Sequence, residues 1–176
     1  MWLMSENKIM TFSEYILSEA IKPKQINYGI DFNNSDWKNV GMGFKLTYFK
    51  TSEYIYTYIF REGFVGFFAS DLDREEEILS ENSITNIFKN RKLFTRKDTS
   101  KFISVFNYFF YITLEAIEKF DTNKIMFDGA DKALGNLYSS MSRNKFFLKE
   151  LEKVGFIYKG LIRENGREFY TFVKEL

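Results

Sequence analysis

Three segments rich in aromatic and β-branched residues follow one another closely: Phe44 to Phe49, Tyr54 to Phe60 and Phe64 to Ala69. Side chains of this kind suit a pleated, half-buried surface, and Arg61-Glu62-Gly63 between the last two is a hairpin turn. The chain is thereby committed to three antiparallel strands. Whatever follows must add to that sheet or cover it. The material for a core is abundant, since 45% of the residues are apolar and 19% are aromatic, with 21 Phe and 11 Tyr. A chain of 176 residues suits one domain, able to bury about 70% of the surface its unfolded form exposes.

After the three strands comes a long connection, residues 71 to 101. It holds an acidic run (Asp71-Leu72-Asp73-Arg74-Glu75-Glu76-Glu77), a short helix over Ser83 to Lys89, and a basic run. From Asp98 the spacing is helical, with Phe102, Phe106, Phe109, Thr113, Ile117 and Phe120 on one face and Ile103, Phe110 and Leu114 beside it. This helix is nearly apolar all round in its middle, so it is expected at the centre of the fold. The stretch Phe102 to Leu114 is too short to span a bilayer.

A strand, Lys124 to Phe127, then leads through Asp128-Gly129 to a helix capped by Asp131, with Leu134, Leu137, Met141, Leu148 and Leu151 facing inward and Gly155 ending it. Two further strands, Phe156 to Lys159 and Glu168 to Val173, are joined by a turn containing Asn165-Gly166. The expected fold is a single α/β (α+β) domain of order β-β-β-α-β-α-β-β. Two main helices cover the faces of a mixed sheet whose crossover strands lie parallel at its centre. Asp128-Gly129 is open to two readings, a substrate crevice at a strand's carboxyl end or a compact turn, and the turn is favoured.

Charge and composition exclude several function classes. Twenty-five basic against 24 acidic side chains leave a net charge of +1, so the whole molecule has no pull toward nucleic acid or an anionic membrane. Without a single Cys or His, disulfides, zinc or haem ligation by those groups, thiol nucleophiles and imidazole triads are ruled out. No metal and no membrane partner are expected. Within the basic run, Lys89, Arg91, Lys92, Arg96, Lys97 and Lys101 are able to hold a phosphate through their side chains, or to face water as counter-charges to the acidic run. Phe88, Phe94 and Phe102 interleave with them, as stacking platforms for single-stranded nucleic acid or as core anchors.

The element order, the helix motif ALGNLYSSM and the Gly155-Phe156 step resemble the GNAT superfamily, the acyl-CoA N-acyltransferase fold, and most of all the GNAT-like proteins of tailed phages. The resemblance runs from about Phe44 to Val173. It implies an acyl group carried by acetyl-CoA, with Tyr138 placed as general acid toward the departing thiolate. It also implies a glycine loop, Q/R-x-x-G-x-G/A, whose backbone N–H groups hold the pyrophosphate. The equivalent stretch here, near residues 90 to 101, has no glycine, and none occurs from Phe67 to Asp128. The phosphate cradle is missing, which favours a protein without a cofactor.

Residues 1–27 read as an N-terminal peptide and linker, and residues 28–176 as the domain. Met10 to Ala20, MTFSEYILSEA, places Phe12, Tyr15 or Ile16, and Ala20 at helical spacing, and Pro23, the chain's one proline, stops it. The peptide resembles the capsid-targeting sequences of internal head proteins in T-even-type phages. That likeness implies a prohead protease site at Leu17-Ser18-Glu19 before Ala20. With no signal peptide pattern ahead of it, the chain is expected to work in the host cytoplasm or in a virion head assembled there. The favoured expectation is a GNAT-like protein that binds a host or phage protein without catalysis. An acetyl-CoA-dependent acyltransferase using the basic loop is the alternative, and a nucleic-acid binder is the weaker one.

Overall fold

The computed structural model of the chain describes residues 36–89, 102–129 and 132–175. Seven strands form one sheet: β1 (Lys38–Asn39), β2 (Lys45–Lys50), β3 (Tyr54–Arg61), β4 (Phe64–Asp71), β5 (Lys124–Asp128), β6 (Phe156–Glu164) and β7 (Arg167–Lys174). Their spatial order is β1-β2-β3-β4-β5-β7-β6. Every junction is antiparallel except β4–β5, which is parallel and sits at the centre. Five helices accompany the sheet among the described residues: α1 (Glu75–Ser80), α2 (Ile84–Lys89), α3 (Phe102–Phe120), α4 (Lys132–Met141) and α5 (Lys145–Lys153). A 3-10 turn, Leu72–Arg74, leads into α1.

The β3–β4 and β6–β7 hairpins close on two-residue turns with left-handed backbone at both positions, Glu62-Gly63 (φ 47° and 84°) and Asn165-Gly166 (φ 51° and 75°). That turn matches the right-handed twist of the flanking strands, which is why a glycine-containing pair marks each. At Gly63 a second constraint applies. A Cβ there would lie 2.0 Å from the Lys124 carbonyl oxygen, and Gly63 O accepts a hydrogen bond from Met126 N at 2.7 Å. The first hairpin therefore abuts β5 directly, and the parallel junction starts at this contact.

Alternation along the strands sends side chains to two separate cores. On the front face Tyr56, Tyr58, Phe60, Val65, Phe67, Ile125, Phe127, Tyr170 and Phe172 pack under α3, α4 and α5. On the back face Leu46, Tyr48, Ile55, Ile59 and Phe68 pack under Ile78 of α1 and Ile84 and Ile87 of α2. Within α3 the stripe of Phe106, Phe109, Thr113 and Ile117 is buried as its spacing predicts. The Tyr58 hydroxyl, on the sheet, donates to Thr113 Oγ1 at 3.1 Å, and Thr113 in turn donates to Phe109 O at 2.9 Å. Burial is the main reason the Tyr58 phenol is pushed well above its ordinary pKa.

The structure departs from the expected two-helix cover in two ways. The helix expected to run unbroken to Gly155 is two helices. Ser142, Arg143 and Asn144 break it, and Asn144 Oδ1 accepts from Phe147 N at 3.1 Å as the cap of α5. The break is invisible to periodicity because α4 and α5 bury the same side. Furthermore, α3 and the α4–α5 pair share the front face instead of taking one face each. Both crossovers, β4 to β5 and β5 to β6, step the same way across the sheet between strands pointing the same way, so right-handed connection puts both on one side. The back face is covered instead by α1 and α2, built from the acidic run and the short helix of the long connection. Glu75, Glu76 and Glu77 fall in the first turn of α1, where the helix dipole favours negative charge. At its other end Lys38 Nζ donates to the carbonyls of Leu79, in the last turn, and Glu81, the C-cap, at 3.0 and 2.9 Å.

Candidate functional site

In an α/β sheet the carboxyl ends of adjacent parallel strands are where a crevice forms. Here β4 and β5 share register only at Phe64–Met126 and Val65–Phe127, after which β4 runs on to Asp71 while β5 ends at Asp128. Beyond these residues no pairing joins the two strands. An aromatic cluster bridges them on the front face. Phe109 of α3 lies 4.7 Å from Phe67 of β4 and 5.7 Å from Phe127 of β5, ring centre to ring centre, bridging the two strands. Tyr138 of α4 stacks on Phe127 at 5.2 Å and meets Tyr170 at 6.1 Å. Tyr138 is only 1% exposed, and Val65 to Ser70 are all buried.

The Asp128-Gly129 turn is packed tightly. Gly129 N donates to Glu168 O at 2.8 Å, and a Cβ at Gly129 would stand 3.1 Å from that oxygen and 3.2 Å from the Gly135 Cα of α4. Two glycines thus let the helix lie directly against the start of β7. Asp128, 4% exposed, is held by the Arg167 guanidinium, whose Nε donates to Oδ1 at 3.1 Å and whose second arm reaches Oδ2. The two residues are far apart in sequence, and the β5–β7 register makes them neighbours.

On the other side of β7, Glu168 takes a hydrogen bond from the Tyr170 hydroxyl at 3.3 Å and pairs with Arg163 at 3.1 Å. Burial, and then the nearby Glu168 charge, raise the Tyr170 phenol above its ordinary pKa. The whole arrangement is a set of closed pairs. It fixes the strand ends, and Asp128 in a bidentate ion pair is poorly placed to act as a base.

At the opposite end of the sheet is a cavity of about 440 Å³ lined by Lys45, Phe60, Arg61, Glu62, Phe120, Asp121 and Asn123, among others. The stacked rings of Phe60 and Phe120, 5.3 Å apart, form part of its wall. Two of its cations are already engaged: Lys45 donates to Asn39 Oδ1, and the Arg61 guanidinium sits 5.0 Å over the Phe44 ring. Among the described residues no group of three or more acidic side chains is arranged to hold a metal, and no helix is long and apolar enough to cross a membrane.

Of the residues singled out from sequence, Tyr138 lies in the front core, stacked on Phe127 of β5. Arg91, Lys92, Arg96, Lys97 and Lys101 of the basic run, Leu17, Glu19 and Ala20 of the cleavage motif, and the cap Asp131 lie outside the described residues, as do Phe94 and the side chains of Phe102 and Ile103. Phe88 packs on Phe44 and Phe68 at 6.1 and 6.3 Å, as a core anchor would, and Lys89 is exposed at the end of α2. Arg167, Glu168 and Tyr170 escaped the sequence reading because nothing in a strand's composition tells which neighbour it pairs with. No known protein family matches the chain, nor does any curated protein or solved structure.

Proposed function

We propose that this is a phage-encoded protein of GNAT-like fold that acts by binding a host or phage protein and does not transfer an acyl group. The parallel junction that joins β4 to β5 through the central helix α3 supports the GNAT-like part of the reading. The burial of Tyr138 carries the non-catalytic part. A general acid must reach the sulfur of the leaving thiolate, and this phenol is enclosed by Phe109, Phe127 and Tyr170, 1% exposed. The missing glycines between Phe67 and Asp128 point the same way, because backbone cannot approach a diphosphate closely past Cβ atoms.

The reading is tested by thermal unfolding with millimolar acetyl-CoA. A ligand present at 100 times its Kd stabilises the native state by about 2.7 kcal/mol. We expect no change in melting temperature, and a rise of several degrees would overturn the non-catalytic reading in favour of an acyltransferase using the basic run. For packaging into the head, mass spectrometry of purified virions should find a chain that starts at Ala20. Protein confined to the infected lysate and absent from particles would refute that part.

A further inference from the structure

The cavity of about 440 Å³ at the end of the sheet away from the Asp128-Gly129 turn carries two opposite charges that do not meet. Its size is that of a small-molecule site. Lys45 of β2 stands directly across from Phe60 of β3, so both side chains belong to the front face, where the Phe60 ring stacks on Phe120 at 5.3 Å. Lys45 Nζ is held by Asn39 Oδ1, a neutral acceptor, which leaves the ammonium charge and two of its three donors for a ligand. Arg61 also lines the cavity, but its guanidinium lies over the Phe44 ring, with Nε 4.0 Å from Glu62 Oε2. Asp121 forms the opposite wall. It follows the last residue of α3 in a left-handed backbone, φ 44°, so its carboxylate stands at the negative end of a 19-residue helix, where charge of that sign is disfavoured. Lys119 in the last turn complements the dipole, yet the Asp121 carboxylate makes no hydrogen bond or ion pair among the described residues. The segment that carries it is fixed, since Thr122 Oγ1 donates to Lys124 O and Asn123 O accepts from Lys174 N, both at 2.8 Å. A carboxylate set where it costs stability, on a rigid cavity wall, has the character of a binding group.

We propose that this cavity binds a free α-amino acid with an aromatic side chain. Its ammonium group pairs with Asp121 and with the carbonyl end of α3, and its carboxylate takes donors from Lys45. Its ring lies against the Phe60–Phe120 stack, where aromatic contact adds to the area buried. A purely cationic ligand would meet repulsion from Lys45, and a purely anionic one would meet it from Asp121. A ligand carrying both charges answers both walls. The groups that select it come from the start of β2, the end of β3 and the end of α3, which only the fold brings together.

Titration of the full chain with L-phenylalanine, followed by the NMR amide shifts of Gly43, Lys45, Asp121 and Asn123, tests the site. These shifts should saturate with L-phenylalanine, while N-acetyl-L-phenylalanine and L-phenylalaninamide, each lacking one charge, should bind about ten-fold more weakly. Asp121→Asn keeps a residue that tolerates the left-handed backbone, so its thermal unfolding should match or exceed that of the unchanged chain. It should weaken L-phenylalanine about ten-fold and leave N-acetyl-L-phenylalanine unchanged, because that compound has no ammonium group. Lys45→Met should weaken L-phenylalanine likewise and leave the amide unchanged. Shifts that do not saturate at millimolar L-phenylalanine would overturn the proposal, as would saturable shifts confined to other parts of the chain. So would equal binding of the three compounds, or a folded Asp121→Asn variant that binds L-phenylalanine as tightly as the unchanged chain.

Discussion

Replacing Gly63 by alanine isolates the contact on which the parallel junction rests. Gly63 has φ +84°, and its added Cβ would sit 2.0 Å from Lys124 O and 2.8 Å from Lys124 C. The left-handed backbone alone costs an L-residue about 1–2 kcal/mol. The contact cannot be relieved by a rotamer, because both partner atoms are main chain, so β5 must draw back by more than about 1 Å from a van der Waals separation near 3.3 Å. That movement breaks the Met126 N to Gly63 O bond of 2.7 Å, worth about 1–3 kcal/mol when a buried group is left unpaired. It also loosens Ile125 and Phe127, both fully buried on the neighbouring strand. The total is about 3–5 kcal/mol. Gly166→Ala is the reference, since Gly166 has φ +75° and a Cβ there meets nothing within 4 Å. It should lose only the backbone term. Urea unfolding of the two variants should differ by about 2–3 kcal/mol with unchanged m values, and melting temperature should separate them by roughly 5–10 °C for a domain of this size. If the two variants lie within 1 kcal/mol of each other, the steric reasoning fails.

Four further outcomes are expected. Asn144→Ala removes the cap of α5 and should cost about 1 kcal/mol in urea unfolding, whereas Asn144→Asp should keep most of it. Thr57 Oγ1 is buried with no hydrogen-bond partner among the described residues, so Thr57→Val should be neutral or stabilising by up to about 1 kcal/mol; a loss above that would reveal a partner for the hydroxyl. Arg167→Met leaves the Asp128 carboxylate buried and should cost about 2–3 kcal/mol, below the 3–5 of a fully buried pair because Arg167 is itself 40% exposed, and Asp128→Asn in the same chain should recover part of it. Glu81 accepts from Ser83 N at 2.7 Å and from Asn86 Nδ2 at 3.0 Å, contacts that hold its carboxyl below the usual 4.5. Its contribution to stability is therefore complete above pH 4.5 and fades as pH falls through the lowered value, and a carboxyl NMR titration with a midpoint at or above 4.5 would contradict this.

Local signals in the sequence translate into elements wherever a short stretch settles its own backbone. Both hairpin turns, the buried stripe of α3, β5 and the closing glycine, Gly155 at φ +87°, lie where their residues place them. β1 is two residues long, too short to leave a pattern, and shows itself only by pairing with β2. The acidic run was legible as charge but not as α1, because six residues carry too few periods to separate a helix from a solvated loop. Of the candidate site, Tyr138 and the Asp128-Gly129 turn were visible in advance. Arg167 and Glu168 were not, since Asp128 meets Arg167 across 39 residues of chain through strand register alone.

The amino-acid sequence by itself determined the longer strands and the central helix α3, that no thiol or imidazole chemistry is available, and that no glycine lies between Phe67 and Asp128. Those are properties of single residues and of short-range periodicity. Tertiary structure alone decided that β7 inserts between β5 and β6, that both crossovers fall on the front, and that Tyr138 is enclosed in the core. Pairing partners and helix placement are set by handedness and by the competition of whole faces for burial, and these act between residues that only the folded chain brings together.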